Sequence, residues 1–389
     1  MVPQITAIEV HAISQLDLRP VLQGWTLQAV SVGPEHDPIV LACELPPQDG
    51  PAIDEPENLT TALCEWNRQK LVDMEHETPK LNTLNAKPVM NLIDEAQGWH
   101  IVNVSVGPND DPIMLVSEAP DIPGVPYDMQ PPTPCRILHF TAEGRRVVDL
   151  PPHEMTAKFR YVQPLGDHCW LVVHLVKHHG RHEGAYVYAA DGQLLRSFAP
   201  GDAVSQVQTT RSGQIWVGYG DEGVFSNSDQ LGPAGLACMD HRGIPRLLFH
   251  EVVNQTFPAL DRAGRRSLYV SSCYALNVEA ENSVWFYYYD AFPLVRVHNG
   301  EIDRIYKGIP VRGSQAFAVQ GGVALFAGAY KDSTTLFHVS LDSMAVENRV
   351  VVDDTGTPIA FDKSRSIGRG SRLYLVTEEM LYVVDLADL

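Results

Sequence analysis

Residues 24–45 read GWTLQAVSVGPEHDPIVLACEL, and residues 98–119 read GWHIVNVSVGPNDDPIMLVSEA. Gly-Trp, VSVGP, DPI and a glutamate recur at identical spacing. A chain made of one repeated unit must bury each copy against the next, which narrows the folds open to it more than composition does. Five weaker copies follow the same grammar: YVQPLGDHCWLVVH (161–174), QTTRSGQIWVGYG (208–220), NVEAENSVWFYYY (277–289), AVQGGVALFAGAY (318–330) and SIGRGSRLYLVTE (366–378). In each, an alternating strand meets a polar turn and then a strand of aromatic and β-branched residues. A second hairpin follows most copies, as in EGAYVYAADGQLLRSF and PLVRVHNGEIDRIYK, with Asp-Gly or Asn-Gly turns.

Four antiparallel strands recurring seven times predict an all-β, seven-bladed β-propeller. Blade centres fall near Ile39, Ile113, Trp170, Trp216, Trp285, Phe326 and Tyr374. The whole chain is expected to form one propeller domain with blades at 13–84, 85–156, 157–202, 203–262, 263–310, 311–357 and 358–389. The last copy lacks a fourth strand. The alternating run ITAIEVHAI within residues 1–12 is expected to supply it and so remove two exposed sheet edges. Six blades is the alternative, should the degenerate first copy pack otherwise.

The segment SGQIWVGYGDEGVF resembles the blade strands of regulator-type, NHL-type and gluconolactonase-like propellers, in which a Gly-x-Ile-Trp-Val strand follows a turn. The resemblance implies the fold and no single activity, because propellers host binding scaffolds, lactonases, lyases and glycosidases alike. The acidic metal set of the gluconolactonase-like enzymes has no residue-by-residue counterpart here.

The chain has 29 basic and 48 acidic residues, a net charge of −19. That field disfavours nucleic acid and anionic membranes as partners. No run approaches the ~18 apolar residues of a membrane span, and MVPQITAIEV lacks the pattern of a secretory signal. A soluble, cytoplasmic protein is expected. The six cysteines are spread through apolar runs without a CxxC pair and read as reduced, small hydrophobes. No Walker loop, no GxSxG elbow and no GxGxxG in a strand-to-helix setting is read, so no nucleotide cofactor is expected.

Loops joining second to third strands share one propeller face with the connections between blades. Five positions beyond each blade centre stand Glu44, Glu118, Leu175, Asp221, Asp290, Lys331 and Glu379. Five of the seven are carboxylates, which makes either an acidic rim suited to a cation or polyol, or merely polar strand ends. The third copy ends in HLVKHHGRHEG. There His174, His178, His182 and Glu183 form the candidate metal set, with His174 and His178 also candidates for acid–base work. An exposed polar loop without a site is the competing reading, and a divalent metal is the candidate cofactor.

In the fourth copy, Tyr219, Asp221 and Glu222 are candidate substrate contacts. In the fifth, Tyr274 and Tyr289 are candidate catalytic tyrosines, with Asn277 and Asp290 beside them. Arg312, Gln315 and Arg365 enter the last two inner strands and are candidates for holding an anion, or else pair with the acidic rim. Two functions follow. One is an enzyme, a lyase or hydrolase acting on a small polar or sugar-like substrate at the mouth of the channel. The other is a non-catalytic propeller that binds a ligand or a protein partner.

Overall fold

Six four-stranded antiparallel units account for the chain from Thr83 to its end. The computed structural model describes residues 82–389 apart from 121, 124, 126–129, 153–158, 167, 175–183, 227–230, 261–267, 290 and 331, together with the strands at 6–9, 26–32 and 38–43. The chain divides into two compact units, Met1–Lys80 and Leu81–Leu389. In the first, β1 (Thr6–Glu9), β2 (Thr26–Val32) and β3 (Pro38–Cys43) form a sheet in the order β1-β3-β2. Two strands, β4 (Thr83–Asn85) and β5 (Lys87–Asn91), begin the second.

The second unit is a β-propeller. Blade 1 holds β6 (His100–Val106), β7 (Pro112–Ser117), β8 (Cys135–Thr141) and β9 (Gly144–Leu150). Blade 2 holds β10 (Phe159–Leu165), β11 (Cys169–His174), β12 (Ala185–Tyr188) and β13 (Leu194–Phe198). In blade 3 the strands are β14 (Val204–Thr209), β15 (Ile215–Tyr219), β16 (Leu236–Met239) and β17 (Pro245–Leu248). Blade 4 runs through β18 (Ser272–Ala280), β19 (Ser283–Tyr289), β20 (Leu294–His298) and β21 (Glu301–Tyr306). Blade 5 comprises β22 (Phe317–Gln320), β23 (Val323–Ala329), β24 (Asp332–Ser340) and β25 (Val346–Val352), with β4 added in parallel at its outer edge. Blade 6 has β26 (Ile367–Arg369), β27 (Arg372–Val376) and β28 (Met380–Asp385), and β5 is its fourth strand.

The blade count is therefore six and not seven, and the blade boundaries move with it. The first copy, residues 24–45, does not build a blade of this ring. Its hairpin β2–β3 takes β1 as a third strand, with Thr6 opposite Ala42 and Glu9 opposite Ile39. The N-terminal alternating run is thus spent on that sheet and does not complete the last blade. Closure falls to β5, with Met90 opposite Leu381 and Asn91 opposite Met380. The physical reason is chain length. Strand β5 is tied to blade 1 by the short stretch 92–99, and blade 1 packs beside blade 6, so in the assembled ring β5 reaches the open edge of β28 without a further long connection.

That connection is itself ordered. The Asn91 side chain accepts from the backbone N–H groups of Ile93 and Asp94, both at 3.0 Å, and caps the short helix α1 (Leu92–Ala96). Leu92 and Ala96 are buried between blades 6 and 1 with Tyr374 and Leu381. Residues 87–96 thus form the seal of the ring.

The core lies between blades. The blade-centre residues Ile113, Trp170, Trp216, Trp285, Phe326 and Tyr374 are all buried. Trp216 packs with Phe249, Phe286 and Tyr288 across the blade 3–4 interface, and Phe326 with Tyr287 and Phe317 across blades 4 and 5. Phe249 opens α3 (Phe249–Thr256), which follows β17. Burial pushes the Cys135, Cys238 and Cys273 thiols up to about 12, so they stay protonated in this packing. No helix among the described residues is long and apolar enough to cross a membrane.

Candidate functional site

Four side chains from the inner strands meet at the axis. Gln163 donates to Ser105 Oγ and, at 3.4 Å, to the Val106 carbonyl, and accepts from the Thr209 backbone N–H at 3.1 Å. Gln208 donates to the Leu276 and Gly368 carbonyls at 2.9 and 3.0 Å and accepts from the Val278 N–H at 2.9 Å. Asn277 donates to the carbonyls of Phe317 and Gly370, both at 2.9 Å. Arg369 donates to the Gly107 carbonyl, Gln208 Oε1 and the Thr209 carbonyl at 3.1, 3.0 and 2.5 Å. Blades 3 and 6 face each other across a six-bladed ring, so direct bonds between them fill the axis with protein at this level. Gly368 lets the inner strands of blades 5 and 6 come this close, because a Cβ there would sit on the Phe317 carbonyl oxygen.

The filled waist separates two mouths. One is formed by the starts of the inner strands and the loops after the second strands, the face on which the sequence places most candidates. Here Tyr274, Tyr289, Phe292 and Tyr330 form one aromatic group. Tyr274 stacks on Tyr289 with ring centroids 6.0 Å apart and meets Phe292 edge-on at 5.7 Å. Its hydroxyl lies 3.1 Å from that of Tyr330. Tyr289 and Tyr330 stay 42% and 51% exposed, so two rings of the group present area to solvent. The Tyr330 ring rests on Gly313, whose φ is +78° and whose missing Cβ would lie 2.4 Å from the ring.

Burial sets the protonation of Tyr274 within this rim. Burial, then the hydrogen bond with Tyr330, then the negative charge of Asp221 push the Tyr274 phenol well above its ordinary value. Arg312 is exposed beside the group, its carbonyl accepting from the Tyr330 N–H at 3.1 Å. Lys363 donates to the carbonyls of Ala329 and Tyr330. Asp221 and Glu222 are exposed in the first turn of α2 (Asp221–Val224), at the end of β15.

Tyr219 is fully buried, its hydroxyl donating to the Pro200 carbonyl at 2.6 Å. Asn277 belongs to the axial network. His174 is buried in β11 against Tyr186. Gln315 and Arg365 are half-buried near the starts of β22 and β26. His178, His182, Glu183 and Asp290 lie outside the described residues. Among the described residues no group of three or more His, Cys, Asp or Glu side chains is gathered in a way that could hold a metal ion.

Gly218–Gly223 has GxGxxG spacing and does stand between a strand and a helix, which corrects the sequence reading. The next strand, β16, returns antiparallel, and the first helical turn carries Asp221 and Glu222. Those carboxylates would repel a phosphate where a dinucleotide fold offers bare N–H groups.

Sequence reasoning missed Tyr330 and Arg369. Tyr330 stands four residues past Phe326, as Tyr289 stands four past Trp285, so the repeat alignment itself carried that signal. Arg369 lies in a Gly-Arg-Gly run that reads as a turn.

The opposite mouth is formed by the hairpin turns that follow the inner strands. It is a cavity of about 510 Å³ lined by Asp110, Arg211, Glu279, Glu281, Arg369 and Arg372 among others. A neighbouring groove of about 670 Å³ shares Asp110 and Arg372 and runs out along β4 and β5.

The sequence profile of the YxzG family matches residues 266–384, which covers blades 4 and 5 and most of blade 6. No curated protein matches the chain. Among solved structures, a streptogramin B lyase is similar at 8% identity and a TM-score of 0.40, over 74% of this chain and 94% of its own. A chain of a nidogen/laminin complex is similar at 10% identity and a TM-score of 0.39, over 65% of this chain and 81% of its own. A protein of unknown function from Bacteroides thetaiotaomicron is similar at 11% identity and a TM-score of 0.39, over 78% and 73%. No activity is carried over from likenesses at this level.

Proposed function

We propose that this protein is a ligand-binding propeller whose site is the tyrosine rim of blades 4 and 5, and that its ligand is a small polar, sugar-like molecule. The observation that carries the reading is the Tyr274–Tyr289–Tyr330 group, built on Phe292 and Gly313, with Tyr289 and Tyr330 left exposed. Amphipathic rings of this kind offer an apolar face for the C–H side of a sugar ring and phenols for its hydroxyls. Arg312 and Asp221 add one charge of each sign at the margin.

In this reading the Tyr274 phenol, kept protonated by burial and the bond with Tyr330, serves as a hydrogen-bond donor to the ligand. A phenol held protonated at neutral pH donates a hydrogen bond and is a poor acceptor of a substrate proton. A second reading, docking of a protein partner on the same face, draws on Phe225, which is 71% exposed in the loop after β15.

The test is titration of the full chain with neutral mono- and oligosaccharides, followed by saturation-transfer NMR. Binding is expected, and a Tyr289→Ala/Tyr330→Ala double variant should weaken it at least about tenfold, a loss of ~1.4 kcal/mol. Saccharide binding that survives the double variant unchanged would remove the rim as the site. Failure of every saccharide to bind would leave the docking reading.

A further inference from the structure

We propose that the cup at the opposite mouth is a second binding site, for a zwitterionic α-amino acid, with Arg369 and Arg211 taking its carboxylate and Glu281 its ammonium group. This site goes beyond the tyrosine rim and does not depend on it. Tyr274 and Ala280 lie near the two ends of one inner strand, and at the rise of a β-strand six residues span about 20 Å.

The argument begins with Arg369. It is 5% exposed and lines the cup. All three acceptors it uses are neutral, namely two backbone carbonyls and an amide oxygen. Among the described residues no carboxylate oxygen lies within 4.0 Å of its guanidinium. Three of its five N–H groups are used, so two remain for an incoming acceptor. Burial of this cation is offset only by the more distant charges of Asp110 and Glu281, and an anionic group entering the cup would offset the rest of its cost. Arg211 stands exposed at the margin, with its Nε donating only to the Pro108 carbonyl at 3.3 Å.

The other charges of the cup divide sharply. Arg372 is engaged by Asp110 at 2.7 Å and Asp385 at 2.8 Å. Glu279 is engaged by Arg296 at 2.9 Å and by Trp285 Nε1 at 3.1 Å. Glu281 makes no ion pair among the described residues, and its attraction to Arg369 acts at longer range. Its carboxylate accepts from the Ser212 backbone N–H at 3.1 and 3.2 Å. Burial raises its pKa, but the hydrogen bonds from Ser212 and Thr210 outweigh burial and keep it ionised.

Three arginines and three carboxylates line the cup, so its charges balance. A dianion such as phosphate would upset that balance. A molecule with one carboxylate and one ammonium group preserves it and pairs both unmatched signs. The volume of about 510 Å³ has room for an amino-acid side chain as well.

The experiment is calorimetric titration of the full chain with the common α-amino acids one at a time, with inorganic phosphate as a comparison. For the tightest binder, the deaminated and decarboxylated analogues are then titrated. At least one amino acid should bind, and both analogues should bind about tenfold more weakly or not at all. Arg211→Ala and Glu281→Gln should each weaken binding about tenfold, the worth of one charge-assisted hydrogen bond. Both side chains are near the surface, and the glutamine still accepts from Ser212, so both variants should melt like the parent. If no amino acid binds, or if Glu281→Gln tightens binding while phosphate binds as well as any amino acid, the proposal is overturned; the second result would mark a simple anion site.

Discussion

Gln208 is 4% exposed, yet its amide makes four bonds to two other blades, 4 and 6. At the residue scale such side chains decide how the ring meets at its axis. Replacing Gln208 with alanine would leave the Leu276 and Gly368 carbonyls, the Val278 N–H and the Arg369 guanidinium short of a partner in a buried place. Urea denaturation of Gln208→Ala should show a loss of about 3 kcal/mol or more, since each stranded buried group costs ~1–3 kcal/mol. The exposed Gln320→Ala should stay within about 0.5 kcal/mol of the parent. Equal stability of the two variants would mean that the axis is held by something else. Part of the candidate site was legible at this scale. Strand alternation and the shared face of second-strand ends pointed to Tyr274, Tyr289 and Arg312. Arg369 escaped because its role depends on six inner strands converging, and no local pattern in Gly-Arg-Gly records that convergence. Tyr219 and Asn277 were read as contacts because strand position fixes a side chain's level along the axis but not whether a neighbouring blade covers it.

At the scale of elements, the repeat grammar was legible almost strand for strand. The expected hairpins at 161–174, 208–220, 277–289, 318–330 and 366–378 correspond to the first two strands of blades 2 to 6. Closure was not legible, because several alternating segments compete for one open edge and the winner is set by connection length and packing. Strand β5 carries Pro88 opposite Tyr382 and reads weakly as a strand, whereas residues 6–9 read well and pair elsewhere. Hydrogen-exchange mass spectrometry distinguishes the two. The amides of Lys87–Asn91 that face β28 should exchange as slowly as their partners in Met380–Asp385, because they share one ladder. Fast exchange at 87–91 beside a slow β28 would mean that another strand covers that edge.

At the largest scale, the second unit is a six-bladed ring that seals itself within Leu81–Leu389, with a filled axis and a different chemistry at each mouth. Tyrosine faces dominate one mouth, and balanced charges the other. Because β4, β5 and α1 all follow Lys80, the ring should contain everything it needs to close. The most direct measurement is thermal and urea unfolding of two truncated chains, one starting at Leu81 and one at Gln97. The chain from Leu81 should unfold in one cooperative transition, whereas the chain from Gln97, deprived of β5 and of the buried Leu92, should be unfolded or lose several kcal/mol, at ~2–5 kcal/mol for the leucine alone. If the chain from Leu81 fails to fold, or the chain from Gln97 folds as well as it does, the ring is not closed by Lys87–Asn91.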